Sequence, residues 1–357
     1  MNYREVTLLA KKSLGDSGTE TFDLETLDPM TELVVYFEQD NDTSAVSDLP
    51  PERQISKIEI VDGGSTLWSL SGQEAVGVAA VEMGRWPLGF YNETENQNTW
   101  IHIPIRFGRF LGDTEFGFLP TAYRNPQLKV TYSLGTGHET LLNELAIYAK
   151  VMQGVPAPSN CLMWRSLRSY TSTASTDEIT ELPIDYPYRR LMVRGFDEDG
   201  TFSTTISNYK LACDIDALTI FDLGWKAMYD VVLREFGPLT NDLKACVGSI
   251  QYVQTWLDPT WSATITCRQA ARMAKCNPRW TGDVGAETYD ATGAVADASD
   301  VIIRPIGINP HHCLQYQFGD RGKPDTWFNA PGYKTVKLTL THGANTGAIS
   351  VAVQQPR

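Results

Sequence analysis

Residues 70–88 read LSGQEAVGVAAVEMGRWPL, and residues 223–239 read LGWKAMYDVVLREFGPL. Each opens on a Leu and a Gly, runs through apolar residues at helical spacing, and closes on an aromatic residue and Pro-Leu. In the first stretch Ser71 and Glu74 have the spacing of a capping box. Val76, Ala79, Ala80 and Met83 then fall on one face of a short helix that stops before Pro87. In the second, Asp222 is placed to cap, Met228, Val231 and Val232 make the same face, and Pro238 follows. A single pair of amphipathic helices proves nothing, so the order of blocks on either side decides whether the chain is written twice.

Upstream, ISKIEIVDGGSTLW (55–68) has a partner in ISNYKLACDIDALTIF (206–221): a strand, a turn with Asp, and a second strand. Asp62-Gly63-Gly64 is a strong hairpin signal. Further back, DPMTELVVYFEQDND (28–42) parallels YPYRRLMVRGFDEDG (186–200), and SGTETFDL, ending at Leu24, parallels STDEITEL, ending at Leu182. Downstream, LPTAYRNPQLKVTYSL (119–134) answers to APGYKTVKLTLTHG (330–343), and AIYAKVMQ (146–153) to AISVAVQQ (348–355). LLNELAIYAKVM alone suits a helix as well as a strand; its β-branched, alternating partner makes both strands.

The offset between copies is 158 residues at Leu24/Leu182, 152 at Gly72/Gly224 and 208 at Leu128/Val336. The second copy therefore carries about fifty extra residues between its helix and its last strands. Within them, residues 274–300 are small, polar and Gly-rich and read as a long loop, and loops of that length are usually functional.

Each copy is a series of short strands with turn signals, plus one short helix. In WIHIPIRF (100–107), Ile101, Ile103, Ile105 and Phe107 point one way and His102 and Arg106 the other, while Pro104 marks an edge or a bulge. Such spacing predicts an all-β fold of two tandem eight-stranded jelly rolls (β-sandwiches), residues 1–157 and 158–357, with the long loop insertion of the second roll around 240–330.

With 357 residues, 42% hydrophobic and 20% charged, the chain can bury two cores. No apolar run reaches membrane-span length, and MNYREVTLLAKKSLG lacks the form of a signal peptide, so folding in a cytoplasm is expected. The net charge of −13 and the lack of a Lys/Arg-rich run argue against direct contact with nucleic acid. Cys161, Cys213, Cys246, Cys267, Cys276 and Cys313 form no C-x-x-C pair and read as reduced, mostly buried thiols.

The order IHIPIRF, Phe118-Leu119-Pro120 and LKVTY, the helix after the LSG turn, and the junction LPIDYPYRRLMVRGFDEDG (182–200) together resemble the double jelly-roll major capsid proteins of tailless icosahedral viruses, many of which enclose a membrane. The resemblance spans the whole chain and is one of pattern. It implies pseudo-hexagonal homotrimers that tile an icosahedral virion shell, strands standing roughly perpendicular to the shell, and an outward tower on the second roll. It implies as partners other copies of the chain, neighbouring trimers, penton and minor capsid proteins, and the viral membrane, in the virion and, during assembly, the host cytoplasm.

Tower residues on this reading include Trp280, Asp283, Glu287 and Asp290. Arg4, Lys11 and Lys12, beside Val6, Leu8 and Leu9, read either as a foot on the inner face or membrane or as an ordinary first strand. The basic residues of the matching CLMWRSLRSY (161–170) favour the ordinary strand.

Catalysis finds little support. His311 and His312 are adjacent, and neighbours on a strand face opposite ways, so they do not readily share a metal; His102, His138 and His342 are scattered. No G-x-S-x-G occurs, LGTGHE (134–139) reads as a turn, and Asp197, Glu198 and Asp199 as a solvated one. Trp256, Trp261, Trp280 and Trp327 suit core or interface packing better than a sugar platform. No catalytic residue, metal or cofactor is assigned. The rival readings are a two-jelly-roll glycan-active amidase or hydrolase, a carbohydrate-binding protein, and a minor spike or penton component.

Overall fold

A computed structural model of the chain describes residues 2–41, 50–91, 97–134, 143–197, 202–240, 243–247, 252–267, 278–280, 287–291 and 299–357. The first copy supplies β1 (Asn2–Ser13), β2 (Ser17–Asp23), β3 (Met30–Asn41), α1 (Pro51–Gln54), β4 (Ile55–Asp62), β5 (Ser65–Leu70), α2 (Gly72–Met83), β6 (Gly89–Phe90), β7 (Gln97–Arg106), β8 (Pro126–Ser133) and β9 (Asn143–Gln153). One sheet runs β1-β9-β3-β7-β6, and the other contains β2-β8-β4-β5 in that order. Alternation aims Leu33, Val35 and Phe37 of β3, Ile101, Ile103 and Ile105 of β7, Ile58 and Ile60 of β4, and Leu128 and Val130 of β8 into one core. Each such buried side chain contributes about 1.5–3 kcal/mol.

The second copy supplies β10 (Leu162–Thr171), β11 (Asp177–Leu182), β12 (Arg190–Phe196), α3 (Phe202–Thr205), β13 (Ile206–Cys213), β14 (Leu218–Gly224), α4 (Trp225–Phe236) and β15 (Leu239–Thr240). Then come β16 (Leu243–Val247), β17 (Tyr252–Thr255), β18 (Thr260–Cys267), β19 (Pro278–Trp280), β20 (Glu287–Ala291), β21 (Ser299–Gly307), β22 (Cys313–Gln317), β23 (Val336–His342) and β24 (Ala348–Pro356). Its sheets run β10-β24-β12-β22 and β11-β23-β13-β14, which is the first copy's order strand for strand once the two-residue β6 is set aside. Two sheets so ordered, four strands each, make a jelly roll, and the chain has two of them.

The duplication reaches down to single residues. Met30 and Phe118 exchange backbone hydrogen bonds of 2.7 and 2.9 Å, and Tyr188 and Phe328 do the same at 2.9 and 3.1 Å. The bulge between Ile60 and Val61 on β4 recurs between Leu211 and Ala212 on β13. Arg4 on β1 stands opposite Val151, and Arg165 on β10 stands opposite Val353.

The ambiguous LLNELAIYAKVM is strand β9, paired on both sides by β1 and β3. Pro104 lies beyond the reach of β6, which pairs only with Trp100 and Ile101, so it sits at the sheet's margin as its missing N–H requires. Three expectations need correction. Each copy carries, besides its short helix, a single helical turn (α1 and α3) leading into the next strand. Asp222 does not cap α4: it lies in β14 and accepts from Asn208 Nδ2 at 2.8 Å, while Gly224 takes the N-cap position with no side-chain bond.

The stretch 274–300 is not a bare loop either. Within it β19 and β20 pair with each other, and β20 pairs with β17. These strands are too short for alternation to show through a polar, Gly-rich composition. The insertion sits between β15 and β22, and β21 pairs with β15, β16 and β18 at its base. No helix among the described residues is long and apolar enough to cross a membrane.

Candidate functional site

The rolls join edge to edge. β5, at the edge of one roll's second sheet, lies parallel to β10, at the edge of the other roll's first sheet, with Ser69 opposite Arg165. The two four-stranded sheets thereby continue as one of eight, β2-β8-β4-β5-β10-β24-β12-β22. α2 lies over this joint. Its capping box is complete: Glu74 N donates to Ser71 Oγ at 3.3 Å and Ser71 N to Glu74 Oε2 at 2.7 Å. Gly84, at φ 66°, ends it in the left-handed conformation glycine favours.

The periodicity of α2 predicts one buried face; the structure buries it all round, from Gly72 to Val81. One side packs on its own roll and the other on the outer face of β12, β22 and β24. Gly77 explains how close the contact is. A Cβ there would stand 2.8 Å from Cys313 Sγ and 3.0 Å from Pro310 O. Gln315 Nε2 donates to Gly77 O at 3.0 Å, Arg194 Nη2 donates to Gln73 Oε1 at 2.8 Å, and the Ser350 hydroxyl donates to Glu74.

At the C-terminal end of α2, Glu82 lies 3.3 Å from Arg189 and 3.4 Å from Arg190, both arginines buried and the Glu82 side chain 9% exposed. One carboxylate faces two guanidiniums, and neutral oxygens take up the remaining donors: Gln354 Oε1 accepts from Arg189 at 2.9 Å and Gln317 Oε1 from Arg190 at 2.9 Å. Burial draws both guanidinium pKa values down, that of Arg190 to about 9.

A second buried set ties the insertion to both rolls. His311 Nε2 donates to Glu52 Oε1 of α1 at 2.8 Å, and Tyr91 OH donates to the same oxygen at 2.9 Å. Burial pushes the His311 pKa down, against the pull of Glu52. His312 Nδ1 lies 3.5 Å from Asp258 Oδ2, which also receives Tyr229 OH of α4 at 3.4 Å. The adjacent histidines thus turn to different carboxylates, and among the described residues no group of three or more metal-binding side chains forms. Cys161, Cys213 and Cys313 are buried free thiols whose pKa values burial raises, the reverse of an activated nucleophile.

The same elements recur without a second roll over them, although Tyr36 is buried, with Lys11 Nζ 5.1 Å from its ring centroid. The helices superpose with N-cap Ser71 on N-cap Gly224, one residue off the sequence match of Gly72 with Gly224, so on α4 the counterparts of Gln73, Glu74, Gly77 and Val81 are Lys226, Ala227, Asp230 and Arg234, and all four are exposed. On the first roll, the counterparts of Arg194, Cys313 and Ser350 are Tyr36, His102 and Ala146, with Tyr148 one pair further along, opposite Val34. There Tyr36, His102, Tyr148 and Trp100 form an aromatic strip, with ring centroids 4.8 Å apart for Tyr36 and His102 and 5.4 Å for Trp100 and His102. The two edge strands match as well: β1 is exposed along most of its length, and β14 exposes Leu218, Thr219, Asp222 and Gly224.

The residues singled out from sequence are dispersed. Lys11 is held by Glu38 at 2.6 Å and Glu144 at 2.7 Å, Lys12 by Glu20, and Arg4 stands 3.6 Å from Asp28. Trp280 ends β19, and Glu287 and Asp290 lie on β20, where Trp280 is opposite Tyr289 and Asp290 opposite Tyr252 and Arg279. Asp283, His138, Glu198, Asp199 and Cys276 fall outside the described residues, as do the side chains of Trp261, Cys246 and Cys267. Trp256 is core, 5.4 Å from the His311 ring, and Trp327 packs on Phe116 at 5.8 Å. Sequence reading missed Glu82, Arg189 and Arg190; the charged residue near the end of an otherwise apolar helix was the available signal.

No family model and no curated protein matches the chain. Solved structures match it along its whole length. The STIV MCP, of Sulfolobus turreted icosahedral virus, is 11% identical with a TM-score of 0.62, over 99% of this chain and 96% of that one. The major capsid protein P2 from bacteriophage PM2 is 10% identical with a TM-score of 0.57, over 99% and 97%. The PBCV-1 virus capsid is 10% identical with a TM-score of 0.58, over 99% and 93%. At such identities the shared property is the fold, a double jelly roll with the connectivity of these chains.

Proposed function

We propose that the chain is a major capsid protein whose pseudo-hexagonal homotrimers tile an icosahedral virion shell. The observation that carries the reading is the repeated roll. Two sandwiches of the same strand order are joined through one pair of sheet edges, and each roll keeps an uncovered copy of the surface the other has used. Three such chains supply six similar corners, and a closed ring leaves no joint surface bare. The fold shared with capsid chains over nearly the full length supports the same assignment.

On this reading residues 1–157 and 158–357 are the two rolls, and the strands between β15 and β22, with Trp280, Asp283, Glu287 and Asp290, belong to an outward tower. The role is structural rather than catalytic, in the virion and, during assembly, in the host cytoplasm. Its partners are other copies of the chain, then penton and minor capsid proteins. The net charge of −13 supports a shell that does not grip the genome directly. The carboxylates facing Arg4, Lys11 and Lys12 support the plain first-strand reading of that segment over a membrane foot.

Light scattering on the purified chain tests this. A stable species of three chains, with a six-cornered outline in negative stain, is the expected result. A monomer at micromolar concentration overturns it.

A further inference from the structure

The joint within the chain is a template for a joint between chains. Each of its components has a counterpart, by strand order and pairing, that no second roll covers. β5 corresponds to β14: both pair with the preceding strand through the same bulge, which sets Ser69 against Asp222. β10 corresponds to β1: each pairs with its roll's last strand, and the ion pairs of Arg165 with Asp185 at 3.4 Å and Arg4 with Asp28 at 3.6 Å match Arg165 to Arg4. The residue pair at the heart of the existing joint, Ser69 opposite Arg165, therefore has Asp222 and Arg4 as its counterparts.

We infer that β14 of one copy docks in parallel beside β1 of a second copy, with Asp222 facing Arg4 and α4 seated on the aromatic strip of the neighbour's first roll. The inference rests on the trimer reading and assigns its contact surface. The occupant is a second copy because only the chain itself carries the complementary half. The charges agree: an acidic residue on one bare edge meets a basic one on the other, at positions occupied in the covered joint by Ser69 and Arg165. Asp222 is exposed, and the Arg4 side chain is 56% exposed, held only by Asp28 at 3.6 Å.

The helix agrees too. Gly77 meets Cys313 within the chain, and the counterpart contact brings Asp230 onto His102. The covered joint is made of Gly, Val and buried ion pairs, whereas its counterpart is made of Lys, Asp and Arg against Tyr, His and Trp. Polar and charged residues mixed with aromatic ones suit a surface that must be soluble before it assembles. The contact is head-to-tail, and such contacts close into rings or run on as open chains according to the angle they impose.

Cysteine pairing in the full chain tests this. Arg4→Cys with Asp222→Cys, oxidised mildly, should yield chains linked into twos and threes on a denaturing gel, while either single substitution yields none. Charge reversal gives a second measurement: R4D or D222R alone should weaken association about tenfold, and the two together should restore it. A trimer by light scattering that gives neither cross-link nor charge rescue overturns the proposed contact and leaves the trimer standing. Cross-links that run on without closing at three keep the contact and overturn the ring. A monomer that does not cross-link overturns both.

Discussion

α2 and α4 are the same element in two copies of one fold, and their surroundings differ more than their lengths. Both span twelve residues between a strand and a Gly-containing turn. α2 is buried from Gly72 to Val81, whereas α4 buries Met228, Tyr229 and Val232 and shows the rest of its turns to solvent or to its margins. Their compositions follow. Positions that meet the second roll on α2 are small or apolar, or are polar with a buried partner; on α4 they are Lys226, Ala227, Asp230 and Arg234. What a helix packs against on its second side, more than its place in the fold, has set its residues.

The sharpest way to break this comparison is at the buried charge. Glu82→Ala should destabilise the chain by about 3–5 kcal/mol, because Arg189 and Arg190 lose the carboxylate that offsets their burial. The counterpart Glu235→Ala removes an exposed pair with Arg321 and should cost less than about 1 kcal/mol. Urea midpoints of the two variants measure the difference, and equal losses would mean that the joint around α2 is not closed in solution. Next comes Gly77→Leu, which drives side-chain atoms into Cys313 and Pro310 and should cost about 1–3 kcal/mol. Asp230→Leu, at the matching exposed position, should change the unfolding of the chain by no more than about 0.5 kcal/mol.

A third effect depends on pH. Burial lowers the His311 pKa in the folded chain, so as pH falls the unfolded chain takes up that proton first. Stability should be full above the ordinary histidine pKa of about 6.5 and fall as pH drops below it, by at most about 1.4 kcal/mol per unit. His311→Gln should flatten that slope; an unchanged slope would assign it to other groups. The smallest contrast lies at the caps. Ser71→Ala should cost about 1 kcal/mol, while Gly224→Ser, which would supply α4 with the side-chain cap it lacks, should gain a few tenths. A Cβ at Gly224 meets nothing nearer than 3.8 Å, so no clash masks the gain.

Much of this architecture is legible in the residues. Alternation at Ile101–Phe107, the Asp-Gly-Gly hairpin and the order of repeated blocks were enough to predict two jelly rolls, because strand periodicity and turn chemistry are local properties. The cap at Ser71 and Glu74 was legible for the same reason. The covering of α2 was not, since Val76, Ala79, Ala80 and Met83 show one apolar stripe, and the second roll's claim on Gln73 and Gly77 is a contact between residues far apart in the chain. Nor was the pairing of Glu82 with Arg189 and Arg190, for which the sequence offers only a Glu in an apolar helix and two adjacent arginines before a strand. The short strands β19 and β20 escaped because pairing, not composition, makes them strands.

The parallel seam of β5 and β10 also orders events in time. The sheet that covers the outer side of α2 holds β10, β12 and β22 around β24, the strand of that sheet that lies furthest along the chain. On a ribosome the first roll emerges complete, yet the outer side of its helix waits uncovered until the strand carrying Ser350 and Gln354 has been made. The second roll thus acts as the first roll's delayed lid, and no chain interrupted before that strand can present a closed first corner to its neighbours.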